Sequence, residues 1–266
     1  MILYPNAKIN IGLNITSKLN TGYHKIESCF LPISLYDIIE INENERNKLS
    51  LSGIKIDCKI SENIILKTLN FFKSNKKFNV HLHKNIPIGA GLGGGSSDAA
   101  FTLKYLNKIL KKFDNDQLLL EANKIGSDCP FFIYNKTKYV TNTGDRFENI
   151  NLDLSQKRII IINPNKSINT SKAFKNISPS KAKYNLKEVL ENENIENWNN
   201  YVKNDFEKYV FSKIKILNKI KSHLIDHGAK FVSLSGSGSC IYGIFDKNNL
   251  PDKEFQFDYH YVKILN

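Results

Sequence analysis

Five glycines lie within the seven residues 89–95, inside the segment IPIGAGLGGGSSDAA of residues 86–100. Each glycine in regular structure costs about 0.5–1 kcal/mol relative to alanine, so this run indicates that something approaches the backbone closely. A bare backbone leading into a helix favours anions, because its N–H groups and the helix dipole attract negative charge. Ser96, Ser97 and Asp98 are residue types typical of helix caps. The segment therefore predicts a loop that holds the phosphates of a nucleotide. The residues predicted to contact those phosphates are Pro87, Ile88, Gly89, Ala90, Gly91, Leu92, Gly93, Gly94, Gly95, Ser96 and Ser97.

Three other interpretations of the glycines compete with this one. The Walker-type P-loop requires a lysine directly after its last glycine, where this chain has Gly95, so that class is excluded. The spacing of Gly89, Gly91 and Gly94 fits the dinucleotide pattern G-x-G-x-x-G, and Asp114 follows at about the distance of a ribose-binding acid. The chain lacks the regular β-α-β alternation of that fold, however. A simple tight turn needs only one or two glycines.

Composition predicts a folded, two-domain protein. The chain has 266 residues, 41% of them hydrophobic and 24% charged, and no stretch approaches the roughly 20 apolar residues of a membrane span. Its first residues lack a signal-peptide pattern, so we expect a cytoplasmic protein with no membrane partner. The four cysteines are far apart, which argues against zinc and disulfides and predicts reduced packing residues.

The net charge of +12 raises the possibility of a nucleic-acid partner. The lysines, however, are spread along nearly the whole chain instead of forming one cluster. This pattern is typical of a solvated basic surface, and we expect no nucleic-acid partner.

The elements that would position the loop are a mixture of strands and helices. Alternating or continuous apolar runs predict strands over residues 7–16, 36–43, 79–88, 130–135, 138–141 and 158–162. Helical spacing predicts a helix after the glycines through Leu110, a second over 116–125 that ends at Gly126 in a left-handed cap, and a third over 212–227. Residues 229–245 read as strand, glycine turn and strand. The order indicates an α+β fold.

The long Asn-rich stretch over 177–204 is ambiguous. Its composition is compatible with a pair of helices and equally with a mobile segment near the substrate.

The motifs resemble those of the GHMP small-molecule kinases, a family named for galactokinase, homoserine kinase, mevalonate kinase and phosphomevalonate kinase. The resemblance covers almost the entire chain. It rests on the segments PNAKINIGLNI, TGYHKIESCF, ISLYDIIEI, PIGAGLGGGSSDAA, GSDCPFFI and LSGSGSC. It implies an N-terminal domain over residues 1–153 that binds ATP and substrate, with a fold like the second domain of ribosomal protein S5. It also implies a ferredoxin-like C-terminal domain over 154–266, with the active-site cleft between the two.

The resemblance further implies transfer of the γ-phosphoryl group of ATP to the 2-hydroxyl of a cytidine-diphosphate-linked methylerythritol. It matches Lys8 and Asp128 to the catalytic pair of the family. Asp128 would take the hydroxyl proton as general base, and the Lys8 ammonium would stabilise the developing charge. Mg²⁺ is expected with ATP, and no residue is assigned as its ligand.

Substrate recognition is expected from three further residues. Asn10 shares a strand face with Lys8 through the period of two. In the TGYH segment, Tyr23 offers a ring to stack on cytosine and His24 offers polar atoms to its edge, although Thr21 stands where the family pattern has aspartate. A second glycine loop is expected to close on the site through the residues Ser235, Gly236, Ser237 and Gly238.

Two other functional classes stay open at this point. Another GHMP kinase, of the homoserine or mevalonate type, would share the loop without needing a cytosine site. A nucleotide-binding regulator without catalysis would not need both Lys8 and Asp128. The sequence does not indicate an oligomeric state.

Overall fold

The computed structural model describes residues 1–248 and 257–265, and these form two compact units. The first unit comprises Met1–Ala7, Leu35–Ile88 and Gly93–Asn135. The second comprises Lys8–Ser34, Gly89–Leu92 and the described residues from Lys136 onward. The units therefore interleave along the chain, and the domain boundary between residues 153 and 154 stays a prediction.

The elements of the described residues are numbered in chain order. The strands are β1 (Ile2–Leu3), β2 (Asn6–Lys18), β3 (His24–Tyr36), β4 (Ile38–Asn44), β5 (Lys48–Gly53), β6 (Lys77–Lys84), β7 (Lys138–Thr141), β8 (Arg146–Glu148), β9 (Lys157–Ile162), β10 (Phe231–Leu234), β11 (Ile241–Asp246) and β12 (Tyr259–Val262). The α-helices are α1 (Ile64–Phe71), α2 (Gly94–Leu110), α3 (Asn115–Ile125), α4 (Cys129–Tyr134), α5 (Thr170–Lys175), α6 (Leu186–Asn192), α7 (Trp198–Tyr201), α8 (Glu207–Lys213) and α9 (Ile216–Asp226). Short 3-10 helices cover Ile60–Glu62 and Ile195–Asn197.

The first unit contains a four-stranded sheet in the order β1-β4-β6-β5, in which only β5 runs parallel to its neighbour. Ile39 and Ile41 of β4 are buried, as are Val80 and Leu82 of β6, while the residues between them lie on the outer face. This alternation is the period of two that predicted the strands. Helices α1, α2, α3 and α4 pack on one another in the same unit.

Helix α2 confirms the prediction of a helix after the glycines. Ala99, Leu103 and Leu106 are buried at helical spacing and form its core-facing side. The helix ends where Lys111 adopts a left-handed conformation and its N–H donates to the Asn107 carbonyl.

Two local predictions in the first unit are wrong. Residues 130–135, predicted as a strand, lie mostly in α4, because a short apolar run does not distinguish strand from helix and Pro130 favours the first helical turn. Gly126 does end α3, but its φ of −175° is extended, not left-handed. Glycine is suited there for space, since a Cβ would lie 3.2 Å from Cys129 Sγ.

The second unit contains two four-stranded sheets, in the orders β2-β3-β7-β8 and β10-β11-β9-β12. The predicted strand–turn–strand over 229–245 is confirmed as the antiparallel pair β10 and β11, in which Leu234 lies opposite Ile241. The helix predicted over 212–227 is two helices, α8 and α9. The break falls at Ile214, whose non-helical backbone carries a side chain buried in the core of this unit.

Residues 186–201 of the Asn-rich stretch are largely helical, with α6, a 3-10 helix and α7 in succession, whereas residues 177–185 before them are not helical. Leu186, Leu190 and Trp198 are its main buried side chains. The stretch is therefore built into the second unit through a few apolar residues among many asparagines.

The cysteines match the expectation of reduced packing residues at three positions. Cys29, Cys129 and Cys240 are buried and Cys58 is exposed, and all four are free thiols. Burial raises the pKa of Cys29 and of Cys129 to about 12, so these thiols stay protonated at neutral pH. Across residues 1–248 and 257–265, no helix combines the length and apolar character that crossing a bilayer demands.

Candidate functional site

The glycine loop connects β6 to α2 and has a backbone that requires several of its glycines. Gly89, Gly91 and Gly93 have φ values of 63°, 79° and 71°, in the left-handed region that side chains disfavour. Gly93 is the N-cap of α2. Ser96 and Ser97 therefore lie inside the first helical turn, and the prediction that they cap the helix is wrong.

A second reason for glycine is the approach of the predicted second glycine loop. A Cβ at Gly91 would lie 1.9 Å from the Ser235 carbonyl oxygen. The Ser235 hydroxyl donates to the Gly91 carbonyl at 2.9 Å, and the Cys240 N–H donates to the Ala90 carbonyl at 3.1 Å. The second glycine loop and the Gly91 segment are thus neighbours within the second unit. This contact accounts for glycine at position 91 without any ligand.

Gly95 differs from the other glycines because nothing in the described chain accounts for it. An added Cβ would meet no atom within 4 Å, and Gly95 does not belong to the residues with positive φ. Glycine inside a helix is less stable than alanine by about 0.5–1 kcal/mol. The position is therefore a bare surface on the first turn of α2 that the fold alone does not need.

The same turn carries backbone donors that the helix cannot satisfy. The Ser97 N–H bonds to the Gly93 carbonyl at 2.9 Å. The N–H groups of Gly94, Gly95 and Ser96 precede that bond and have no acceptor within the helix. Donors of this kind beside a bare backbone bind phosphate groups. The geometry therefore fits the phosphates that the sequence predicts here.

Lys8 and Asn10 lie on one face of β2, as the period of two predicts, and start a buried chain of hydrogen bonds. The Lys8 ammonium donates to Asn10 Oδ1 at 2.5 Å, and Asn10 Nδ2 donates to Ser28 Oγ at 3.0 Å. The Ser28 hydroxyl donates in turn to the Gly12 carbonyl at 2.6 Å. The Asn10 amide orientation is fixed by these bonds, and Lys8 is only 4% exposed.

Three contacts that sequence reasoning missed hold this chain in place. Lys8 Nζ lies 4.5 Å from the centre of the Phe30 ring, and the Tyr242 hydroxyl donates to the Asn10 carbonyl at 2.9 Å. The Lys8 N–H donates to the Leu92 carbonyl at 3.0 Å, which ties β2 to the glycine loop within the second unit. Tyr242 is 232 positions from Asn10, and no periodicity in the sequence indicates their contact.

Asp128 is the N-cap residue of α4 and is half-buried. It directly precedes the buried Cys129, and its negative charge adds to the burial that raises the pKa of that thiol. Asp128 belongs to the first unit, whereas Lys8 and Asn10 belong to the second.

Tyr23 and His24 lie where β3 begins, beside an aromatic cluster that the sequence did not indicate. The His24 ring stacks on Phe174 with centroids 4.9 Å apart, and Phe174 meets Phe206 edge-on. Partial burial and the nearby Lys18 charge lower the pKa of His24, which keeps the imidazole neutral at pH 7. Tyr23 is 68% exposed, so its ring is available to a ligand.

The turn before Tyr23, which contains Thr21, is held by backbone hydrogen bonds. The Gly22 N–H donates to the Leu19 carbonyl, the Leu19 N–H donates to the Tyr23 carbonyl, and Gly22 has a φ of 86°. Because these are backbone features, the geometry of the turn depends on Gly22 more than on Thr21.

The second glycine loop is anchored by two polar side chains. Asn204 Nδ2 donates to the carbonyls of Leu234 and Gly236, both at 2.9 Å. Glu207 Oε1 accepts from the Ser233 hydroxyl and the Leu234 N–H at 3.0 Å. Gly236 and Gly238 adopt positive φ, as expected of a tight turn.

The sequence matches two families of known domains. Residues 63–136 match the GHMP kinases N terminal domain, and residues 185–260 match the GHMP kinases C terminal domain. These matches confirm the expected two-domain α+β architecture. The first match contains the whole glycine loop and Asp128, and the second contains the second glycine loop.

Several similar proteins are kinases of the same name. A 4-diphosphocytidyl-2-C-methyl-D-erythritol kinase of Azobacteroides pseudotrichonymphae is 41% identical over 98% of this chain and 99% of its own. One from Parabacteroides distasonis is 39% identical over 93% of this chain and 92% of its own. The crystal structure of a 4-(cytidine 5'-diphospho)-2C-methyl-D-erythritol kinase matches with a TM-score of 0.75 at 25% identity, covering 91% of this chain and 89% of that one.

Alanine at Gly95 should separate ligand binding from folding. Gly95→Ala fills open space on a helix, so the melting temperature should hold or rise, while nucleoside-triphosphate affinity, measured by calorimetry, should fall at least tenfold. The matched variant Gly91→Ala should melt at a lower temperature, because its Cβ would clash with the Ser235 carbonyl. Unchanged affinity in Gly95→Ala would show that the bare surface has no ligand.

Proposed function

Because this chain belongs to the GHMP kinase family, we propose that it transfers the γ-phosphoryl group of ATP to the 2-hydroxyl of 4-diphosphocytidyl-2-C-methyl-D-erythritol. The chain is an ATP-dependent small-molecule kinase. The single observation that carries the choice of substrate is the near-full-length identity to kinases of that name. The bare first turn of α2 supports the nucleotide part of the assignment independently.

ATP is the phosphoryl donor, and its phosphates are assigned to the loop over 87–97. The N–H groups of Gly94, Gly95 and Ser96 would face the phosphate oxygens, and the open position at Gly95 would allow close approach. This arrangement needs no lysine in the loop, in contrast to a P-loop.

Mg²⁺ would accompany ATP and would offset the negative charge of its phosphates. Within residues 1–248 and 257–265, no group of three or more His, Cys, Asp or Glu side chains is suited to hold a metal ion. Mg²⁺ usually takes most of its ligands from phosphates and water, and no residue is proposed as its ligand.

Phosphoryl transfer requires alignment and charge neutralisation more than covalent help from the protein. Asp128 would accept the proton of the 2-hydroxyl while that oxygen bonds to the γ-phosphorus and the bond from phosphorus to the leaving ADP breaks. Lys8 would stabilise the negative charge that develops on the attacking oxygen. Asn10 would hold Lys8 in place and contribute an amide to the acceptor, supported by its bonds to Lys8 and Ser28.

Cytosine recognition is assigned to the beginning of β3. The exposed ring of Tyr23 would stack on the base, and the neutral His24, fixed by its stacking on Phe174, would bond to the polar edge of the base. The second glycine loop, residues 235–238, would limit the nucleotide site through its packing on Gly91.

Further expectations accompany this proposal. The substrate is a small molecule, and the spread of positive charge supports a protein without a nucleic-acid partner. A cytoplasmic location agrees with a metabolic kinase. A kinase of the homoserine or mevalonate type is the alternative for the acceptor, and it would not need Tyr23 and His24.

ADP release from Mg-ATP by the purified protein tests the acceptor. We expect turnover with 4-diphosphocytidyl-2-C-methyl-D-erythritol and none above background with homoserine, mevalonate or no acceptor. Turnover with mevalonate or homoserine alone would contradict the substrate assignment and the base-reading role of Tyr23 and His24. ATP binding without turnover on any acceptor would favour a regulator.

Replacing the proposed base should slow the chemical step without weakening nucleotide binding. Asp128→Asn removes a proton acceptor, so kcat should fall by about 10²–10⁴-fold while the Kd for ATP stays within threefold of wild type. The measurements are steady-state ADP release and calorimetric titration. As a matched control, Asp116→Asn changes an exposed aspartate on α3 and should leave both values unchanged. Full activity of Asp128→Asn would remove Asp128 from the mechanism.

A further inference from the structure

The first unit contains a buried cluster of three charged side chains to which the proposed chemistry assigns no role. Lys84 is 4% exposed, Asp37 is fully buried and Asp98 is 2% exposed. Lys84 ends β6, Asp37 lies between β3 and β4, and Asp98 lies in α2 just after the serines. Three separate elements of the unit therefore meet at one ammonium group.

The cluster bonds to the chain on both sides of the glycine loop. The Lys84 ammonium donates to Asp37 Oδ2 and, at 2.9 Å, to Asp98 Oδ2. The other oxygen of Asp37 accepts the N–H groups of Asn85 at 2.6 Å and Ile86 at 2.8 Å. Residues 85–86 precede the loop and Asp98 follows it, so one ion cluster fixes both of its ends.

The glycine at position 94 is explained by the same cluster. A Cβ there would lie 2.9 Å from Lys84 Nζ and equally close to the Ile86 side chain. The ammonium thus packs directly against the first residue of α2, and a side chain at 94 would displace it. Gly94 therefore serves the contact with Lys84, in contrast to Gly95 beside it.

The energetics indicate that this cluster is not a device for stability. Buried ion pairs are often replaceable by apolar residues with no loss of stability, because their desolvation offsets their attraction. Asp98 Oδ1 is buried without a hydrogen-bond partner among the described residues. Burial also raises the pKa of Asp98 to about 8, although the Lys84 charge acts in the opposite direction. A carboxyl group at this position is costly to ionise, so its place in the cluster is explained by geometry and not by a gain in stability.

We propose that Lys84, Asp37 and Asp98 form a clamp that positions the glycine loop for the phosphates of ATP, an inference that rests on the proposed nucleotide site. The clamp sets the separation of the two loop ends and the direction of the first turn of α2. That direction decides whether the N–H groups of Gly94, Gly95 and Ser96 converge on one phosphate. Lys84 and Asp98 are positioning residues, since they act through the backbone and not on the substrate.

The test compares two replacements of Asp98 that differ in one oxygen acceptor. Asp98→Leu removes the tie between Lys84 and α2, whereas Asp98→Asn keeps an oxygen that accepts from the ammonium. For each full-length variant, we would measure the melting temperature, the Kd for a non-hydrolysable ATP analogue by calorimetry, and amide hydrogen exchange across residues 85–98 without ligand.

The clamp predicts opposite changes in binding and stability. Asp98→Leu should melt at or above the wild-type temperature, bind the analogue at least tenfold more weakly, and exchange faster at residues 94–98. Asp98→Asn should restore the Kd to within threefold of wild type. Lys76→Met is a matched control, because it removes the ammonium of a half-exposed ion pair with Glu43 in the same unit, and it should change none of these readouts.

Wild-type affinity and exchange in Asp98→Leu would overturn the clamp, as would an Asn variant as weak as the Leu variant. If Asp98→Leu does not fold, the double variant Lys84→Met/Asp98→Leu removes both partners of the tie, and wild-type affinity in it would also overturn the clamp. Failure of the wild-type protein to bind the analogue would instead contradict the proposed nucleotide site. Exchange in the ligand-free variants would still decide whether the clamp orders the loop.

Discussion

The proposed phosphate site depends on the first turn of α2, where the N–H groups of Gly94, Gly95 and Ser96 have no acceptor within the helix and Gly95 carries no side chain. A helix N-terminus leaves N–H groups without acceptors, which is unfavourable unless water, a cap or a ligand supplies them. Here the N-cap is Gly93, which has no side chain to bond back. The position of Gly95 stays open to solvent although alanine would suit the helix better. An anion would supply the missing acceptors and would use the open position at Gly95, which is the basis of the proposed phosphate site.

Other glycines of the loop allow close contacts with the rest of the protein. Gly91 allows the Ser235 carbonyl to pack against the loop in the second unit. Gly94 allows the Lys84 ammonium to pack against the helix in the first. The five glycines thus have no single explanation. Gly89, Gly91 and Gly93 have positive φ, and Gly91 and Gly94 make close contacts. Nothing in the described residues accounts for Gly95. Lys8, through its N–H bond to the Leu92 carbonyl, connects the loop to the buried polar chain of β2.

The sequence predicted local features well where one residue type has few alternatives. The glycine loop, α2 and the β10–β11 turn follow from glycine chemistry and apolar spacing, and Lys8 and Asn10 share a face because strands have a period of two. The six apolar residues of α4 were misread because such a short run is typical of both helix and strand. The sequence did not predict that Phe174 contacts His24, because aromatic residues occur throughout the core.

The long-range polar contacts are the features that the sequence predicted least well. Lys84 and Asp37 are 47 positions apart, and neither spacing nor composition indicates that a lysine at the end of an apolar strand is buried between two carboxylates. The composition of the Asn-rich stretch did not predict its structure, because asparagine has little preference for helix or strand. Asn204 within this stretch nevertheless donates to the carbonyls of Leu234 and Gly236, at the second glycine loop. Tertiary structure decides these positions.

Backbone amide shifts would test the central claim most directly. The chain has 14 glycines, so protein labelled with ¹⁵N at glycine gives a small set of signals to follow during titration with a non-hydrolysable ATP analogue and Mg²⁺. We predict the largest downfield proton shifts at Gly94 and Gly95, where new hydrogen bonds to phosphate would form, and small shifts at Gly228, which lies in the turn between α9 and β10. Saturable binding that leaves Gly94 and Gly95 unshifted would contradict the assignment of the phosphates to this turn.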